Sequence, residues 1–287
     1  MTEDFARAVT EWYAGAARPL PWREPGCGAW GVIVSEFMLQ QTPVARVLPV
    51  WSEWMARWPT PAALAAEPAG VAIRAWGRLG YPRRALRLHA AAVAIRDRYG
   101  GEVPLDPVAL RGLPGVGDYT AAAVAAFAGG ARVAVLDTNV RRVYARVYAG
   151  AADARAGTPT VAERAEALAR VPDPPGDYSV AVMELGALVC TARAPRCDAC
   201  PVADGCRWRL AGWPPAEAPR RVQPYAGTDR EVRGRLLALL RASAGEVASA
   251  ELDAAWPDAV QRERALAGLL ADGLAESPSA GRFRLPA

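Results

Sequence analysis

The chain has 287 residues, 52% of them hydrophobic, and a formal net charge of +4. That is enough apolar material for one large core or two modest ones plus an appendage, and no apolar run reaches the length of a membrane span. All 34 basic residues are arginine, which excludes both a lysine Schiff base and a Walker-type phosphate lysine. A GC-rich genome explains the missing lysine. The mild basicity is compatible with nucleic acid without requiring it.

The chain opens on a polar-faced helical pattern with Glu3, Asp4 and Glu11, which does not read as a signal peptide, so a soluble intracellular protein is expected. Apolar residues then recur at helical spacing over 32–39, 62–76, 85–95, 121–128, 140–147 and 178–189, with breaks at Pro59-Thr60-Pro61 and Gly100-Gly101. Strand alternation is hard to find before the C-terminus, so the core is expected to be all-α. A linker is expected at 212–227, where Gly212-Trp213-Pro214-Pro215 opens a Pro- and Arg-containing stretch. Helical patterns at 228–243, 249–255 and 259–272 follow, then a hairpin turning at 278–281. That is the outline of a winged-helix-like α/β module over 228–287.

Four of the five cysteines lie together, Cys190, Cys197, Cys200 and Cys206, in the spacing C-x6-C-x2-C-x5-C. Four thiolates on one short loop can enclose a cubane iron–sulfur cluster. Structural zinc more often takes two close pairs separated by a long insert, and disulfides would require export. Cys27 stands apart as a bystander thiol. Arg193, Arg196, Arg207 and Arg209 surround the loop and could face phosphates.

Leu113-Pro114-Gly115-Val116-Gly117 sits between helical patterns at 107–111 and 119–127. Gly115 and Gly117 in a tight turn would bare backbone N–H groups at a helix N-terminus, a nest for a phosphate oxygen. Leu136-Asp137-Thr138-Asn139-Val140 follows about one helix later, and Asp137 reads as an N-cap after an apolar run. Asn139 is the single asparagine of the chain. Glu36 lies inside an apolar helical run; in dry surroundings its pKa would rise toward neutrality, whereas on a helix surface it would be an ordinary carboxylate.

Hairpin, downstream aspartate and four-cysteine loop together resemble the endonuclease III superfamily. Within it, the chain resembles the MutY family of adenine DNA glycosylases. The resemblance rests on Leu20-Pro21-Trp22-Arg23, Ser35-Glu36-Phe37-Met38-Leu39-Gln40-Gln41-Thr42, Gly77-Arg78-Leu79-Gly80-Tyr81, the hairpin through Asn139, and Glu184-Leu185-Gly186-Ala187 leading into Cys190. It covers roughly residues 18 to 206.

The resemblance implies two helical domains: a six-helix domain over 29–134 and an iron–sulfur domain over 135–211, which the N-terminal helix of 1–28 joins. It implies a [4Fe–4S] cluster on Cys190, Cys197, Cys200 and Cys206. Glu36 would protonate adenine N7, Asp137 would stabilise or trap the sugar cation, and Asn139 would orient Asp137 or water. Tyr119 stands where related lyases carry their Schiff-base lysine, so a monofunctional glycosylase without lysine-dependent lyase activity is expected. Gln41 and Tyr81 match DNA-intercalating positions, and Trp22 and Arg23 match the adenine pocket. Arg83, Arg84, Arg141, Arg142 and Arg146 are candidates for phosphate contact, with only a minority expected to make it. His89, on an apolar helix, is expected to be packed.

The expected partner is duplex DNA carrying adenine opposite 8-oxoguanine or guanine, bound by a monomer in a bacterial, nucleoid-associated cytoplasm. Three departures bear on specificity. Val180 stands where the family often has a base-reading Gln or Glu, Pro82 replaces a common second Tyr, and the tail is too short for a MutT-like domain. The alternatives are a thymine or uracil mismatch glycosylase and a non-catalytic damage-binding iron–sulfur protein.

Overall fold

A computed structural model describes residues 2–216 and 225–287. The helices in chain order are α1 (Thr2–Ala16), α2 (Gly28–Leu39), α3 (Val44–Arg57), α4 (Pro61–Ala65), α5 (Ala69–Trp76), α6 (Arg83–Tyr99), α7 (Pro107–Arg111), α8 (Asp118–Gly129), α9 (Thr138–Tyr144), α10 (Val161–Arg170), α11 (Tyr178–Leu188) and α12 (Arg207–Leu210). The C-terminal part runs α13 (Asp229–Ala242), β1 (Val247–Ala248), α14 (Ser249–Asp253), α15 (Ala259–Ala271), β2 (Glu276–Ser279) and β3 (Arg282–Arg284). The chain divides into two compact units, one of residues 1–32, 105–111 and 116–220, the other of 33–104, 112–115 and 221–287.

In the first unit, Phe5 and Val9 repeat at helical spacing on α1 and enter a core with Val140, Val143, Tyr178, Val182 and Leu185 of α9 and α11. Phe5 packs against Tyr148 with ring planes tilted by 56° at 5.4 Å between centroids, and the Tyr144 and Tyr178 hydroxyls meet at 3.0 Å. Cys206 and Trp208 are buried in this same core, so the four-cysteine loop is built onto it. Helix α9 widens into a π turn over Ala145–Ala149, a local widening that α-helices often reserve for functional positions.

In the second unit, Trp54 packs edge-on against Trp58 and Trp76, at 4.8 Å and 5.6 Å. Thr60 caps α4 through the Ala63 N–H at 3.2 Å. The single helix expected over 62–76 is two helices, because Pro68 has no N–H to continue the ladder and instead caps α5. Helix α6 stops at Gly100, which takes the left-handed conformation.

The C-terminal strands form an antiparallel sheet in the order β1-β3-β2, with Val247 opposite Phe283. Helix, strand, two helices and hairpin give the winged-helix outline. Of the linker expected at 212–227, residues 217–224 lie outside the described residues. The module beyond it is docked within its unit. Gly70 N–H donates to Pro286 O at 2.8 Å, and a Cβ on Gly70 would lie 2.4 Å from that oxygen. Arg241 Nε donates to Ile73 O at 3.0 Å, and Asp272 pairs with Arg83 at 3.4 Å.

Candidate active site and cluster loop

Asp137 ends the extended run before α9 and caps that helix. Its Oδ1 accepts from Val140 N–H at 2.6 Å, and its Oδ2 accepts from the Asn139 amide at 2.8 Å. The cap reading and a functional role are therefore compatible. Burial pushes the Asp137 carboxyl pKa up, opposed by the Val140 and Asn139 hydrogen bonds and by the Arg142 charge. Asn139 is oriented in turn: its Oδ1 accepts from Arg142 Nη2 at 2.8 Å. The same guanidinium donates to Gly186 O at 2.7 Å and, through Nε, to Cys190 O at 2.8 Å. One arginine thus joins the aspartate's neighbour to the start of the cysteine loop. Gly186 leaves room for this: a Cβ there would fall 2.7 Å from Asn139 Cβ.

The second polar centre of this unit is Glu184, on α11 and 0% exposed. Arg18 grips it in bidentate fashion at 2.7 and 2.6 Å, and Arg23 Nη2 adds a bond at 2.8 Å. Burial works against its charge, but the hydrogen bonds from Arg18 and Arg23 outweigh it and hold its pKa at about 2. Arg23 Nη1 is buried and makes no hydrogen bond among the described residues, a donor left over beside the turn that carries buried Trp22. Val180 lies one helical turn before Glu184 on the same face of α11. Tyr119, partly buried, is the second residue of α8.

In the other unit, Glu36 is 6% exposed on α2 among buried Ile33, Val34, Phe37 and Met38. The surface-carboxylate alternative is thereby excluded. Gln41 and Tyr81 each follow a turn and both adopt left-handed backbone conformations, φ 56° and 47°. Tyr81 is 52% exposed. Non-glycine residues rarely hold such angles, and they cluster where function demands them.

Gly115 has φ 78°, and a Cβ there would lie 2.6 Å from Arg87 Cβ and 2.9 Å from the Phe37 ring, so glycine is required twice over. Gly117 is extended at the N-cap of α8, with nothing within 4 Å of a Cβ. Its glycine leaves open space, as close approach of another backbone would need.

Cys190, Cys197, Cys200 and Cys206 are free thiols lining one cavity, walled by Val143, Val147, Leu185, Val189 and Trp208. A polynuclear cluster, which spreads its sulfur ligands around a larger body, suits this lining. Burial pushes the Cys190 thiol pKa up, opposed by Arg146, whose Nη1 lies 3.4 Å from its Sγ. Burial pushes the Cys200 thiol up to about 11, and a bound metal would favour its deprotonated form.

Of the five candidate phosphate arginines, four lie in the protein rather than on a solvated face, and Arg83 is exposed. Arg84, Arg142 and Arg146 are buried and turn donors to backbone carbonyls and to the Thr42, Asn139 and Cys190 side chains. Arg141 grips Glu163 at 2.5 and 3.0 Å. His89 bonds Glu67 O at 2.7 Å, as a packed side chain does. Around the cluster loop, Arg196 and Arg207 are likewise turned to the carbonyls of Leu188 and Tyr148. The roles of Glu184, Gly186 and Arg142 depend on contacts distant in sequence. The only local signal was an acid embedded in the apolar run 180–189.

Comparison with known proteins bears on all of this. Residues 34–170 match the HhH-GPD superfamily base excision DNA repair protein family, and residues 190–206 match the iron–sulfur binding domain of endonuclease III. The adenine DNA glycosylase of Mycobacterium tuberculosis (strain H37Rv) is 56% identical over 280 residues, covering 96% of this chain and 91% of that protein. The human adenine DNA glycosylase is 41% identical over 216 residues, covering 71% of this chain and 39% of its own length. Among solved structures, a thermostable thymine-DNA glycosylase superposes with a TM-score of 0.67 at 25% identity, over 73% of this chain and 97% of that one. An endonuclease III–DNA complex superposes with a TM-score of 0.60 at 23% identity, over 74% of this chain and 98% of that one, and so shares the fold. The cysteine loop is the seat of a [4Fe–4S] cluster. The chain belongs to the adenine DNA glycosylase (MutY) family of the helix-hairpin-helix superfamily.

Proposed function

We propose that this protein hydrolyses the N-glycosidic bond of adenine mispaired with 8-oxoguanine or guanine in duplex DNA, and leaves an abasic site without lysine-dependent strand scission. The end-to-end likeness to adenine DNA glycosylases carries the reading, and the arrangement around Asp137 supports it.

Glu36, a carboxylic acid in an apolar helix, gives its proton to adenine N7. The C1′–N9 bond breaks and its electron pair leaves with the base. Asp137, kept available as an anion by Asn139 and Val140 against its burial, balances the charge on the sugar. Water adds at C1′ and returns a proton to Glu36. Tyr119 shapes the pocket or supports the transition state. Trp22 stacks on the base and the spare donor of Arg23 faces it.

Extruding a base demands a wedge and a grip on the backbone. Gln41 and Tyr81 serve as the wedge, with the left-handed turns as support for that reading. The hairpin N–H groups around Gly115 and Gly117 take a phosphate. Cys190, Cys197, Cys200 and Cys206 ligate the cluster, which when bound supplies a fixed loop; no chemical step is assigned to it. The protein acts as a monomer in a bacterial cytoplasm on nucleoid DNA. No helix among the described residues is long and apolar enough to cross a membrane.

Val180 cannot make the hydrogen bond to the base that a Gln or Glu would, which relaxes discrimination by roughly 1–3 kcal/mol. The deciding experiment is single-turnover base release from duplexes with adenine opposite 8-oxoguanine, adenine opposite guanine, thymine opposite guanine and uracil opposite guanine, scored before and after alkali. Adenine release with nicking only after alkali is expected. Release of thymine or uracil without adenine would move the protein to the mismatch branch. No release at all would favour a damage binder.

A further inference from the structure

Arg84, the second residue of α6, is 5% exposed, and its guanidinium is hydrogen-bonded on two edges to neutral groups. Nη1 donates to the carbonyls of Phe37 at 2.8 Å, Met38 at 3.0 Å and Gln40 at 2.6 Å, at the C-terminal end of α2. Nη2 donates to Thr42 Oγ1 at 2.9 Å and to the carbonyls of Gly80 at 3.1 Å and Leu79 at 3.4 Å. The faces of Trp76 and Tyr81 lie 5.3 and 5.5 Å from its Cζ. Burial pushes its pKa down to about 10, so it remains a cation at neutral pH.

A buried charge balanced only by carbonyl dipoles, one hydroxyl and ring faces is a demanding way to brace a core. What the fork achieves is particular. Nη1 holds the chain immediately before Gln41, and Nη2 holds both the residue after Gln41 and the turn immediately before Tyr81. Thr42 adds a direct tie, donating to Leu79 O at 3.2 Å. Both residues so flanked sit in left-handed conformations that ordinary side chains avoid. Surroundings that over-determine such angles are what allow them to persist. A lysine ammonium, a point donor without a planar fork, cannot serve both edges at once.

We propose that Arg84 is a positioning residue that locks Gln41 and Tyr81 into one rigid wedge, so that the two side chains enter the base stack as a unit. The inference rests on the wedge reading of those two residues given above.

The test uses the full-length protein with its cluster and a duplex carrying 2-aminopurine at the target position opposite 8-oxoguanine. The rise of 2-aminopurine fluorescence on binding reports extrusion. Single-turnover adenine release from the matching natural duplex reports turnover, and visible absorbance of the cluster reports integrity. Arg84→Lys is expected to keep the absorbance and lose the fluorescence rise, with adenine release down by at least about tenfold. In a Gln41→Ala/Tyr81→Ala background the same substitution is expected to change release by less than about twofold, because residues acting as one unit are not additive. Where Arg84→Lys loses the absorbance, Thr42→Val takes its place, since it removes one acceptor and the Leu79 tie while sparing the guanidinium; a diminished rise is expected. A full fluorescence rise in a variant that keeps its absorbance, or a full multiplicative effect in the wedge-less background, overturns the inference while leaving the wild-type function standing. A wild-type protein that neither raises the fluorescence nor releases adenine overturns the wedge reading, and this inference with it.

Discussion

Asn139 donates its amide to Asp137 at 2.8 Å, so the one asparagine in the chain is spent on the one aspartate that caps α9. Burial raises the Asp137 pKa above its ordinary 3.8. A raised carboxyl pKa means the folded state holds its proton more tightly than the unfolded chain. Stability is therefore lost as pH rises from 3.8 through the folded value, and the penalty is fully present above it. Asp137→Asn removes the charge and keeps a good N-cap. Measured against the unchanged protein, its stability is expected to rise with pH across the Asp137 titration, because only the unchanged protein carries the burial penalty. The same change is expected to lower base release by at least about a thousandfold. Denaturant unfolding across pH, beside single-turnover release, checks both. Retained release would remove Asp137 from the chemistry, and a pH-independent difference in stability would refute the burial argument.

Gly186 is where a side chain would strike this arrangement. Its φ is ordinary, but an added Cβ would meet Asn139 Cβ at 2.7 Å and its carbonyl oxygen at 2.9 Å. Backbone there cannot swing away as a flexible side chain could. Gly186→Ala is expected to destabilise by about 1–3 kcal/mol and to slow base release by about a hundredfold through displacement of Asn139. Gly15→Ala on α1, with nothing within 4 Å, is the control and is expected to stabilise slightly. Equal melting temperatures and rates for Gly186→Ala and the unchanged protein would show that the contact relaxes freely.

These two cases mark what the sequence could and could not reveal. The cap at Asp137, the cysteine spacing and the C-terminal helix-strand order are local patterns, and local patterns are legible. Pro68 was legible too, but the apolar periodicity around it masked the break between α4 and α5. Glu184 was not, because its partners Arg18 and Arg23 lie 166 and 161 residues away. Arg84 misled for a related reason: it sits among basic residues that resemble a solvated face, and only the fold brings the carbonyls of 37–42 and 79–80 around it.

Glu184 gives a pH signature of the opposite sign. Its pKa falls from the ordinary 4.5 to about 2, so it contributes stability above pH 4.5 that is lost as pH falls toward 2. Glu184→Gln leaves two arginines without their shared counter-charge. Because Arg18 keeps 32% of its side chain exposed, the expected loss at neutral pH is about 2 kcal/mol, below the range for fully buried pairs. Other carboxylates titrate in the same window, so the quantity to follow is the difference between the two proteins. That difference should shrink between pH 4.5 and 2; a constant difference would mean that shape rather than charge holds Arg18 and Arg23.

Arg142 joins the cluster loop to the aspartate's neighbour, and its substitution separates the two parts. Nε on Cys190 O and Nη2 on Asn139 Oδ1 and Gly186 O use the planar fork on three acceptors. A lysine can replace only one of these well. Arg142→Lys is expected to retain the cluster, because the arginine meets Cys190 at its backbone carbonyl and not at its thiol, and to slow base release by about tenfold to a hundredfold as Asn139 loosens. Iron and inorganic sulfide are expected at about four each per chain in both proteins, as a cubane requires. Stoichiometric zinc instead would overturn the cluster assignment. Loss of iron in Arg142→Lys alone would mean that the arginine holds the loop for the metal rather than Asn139 for Asp137. Unchanged release with full iron would show that Asn139 is held well enough by Asp137 itself.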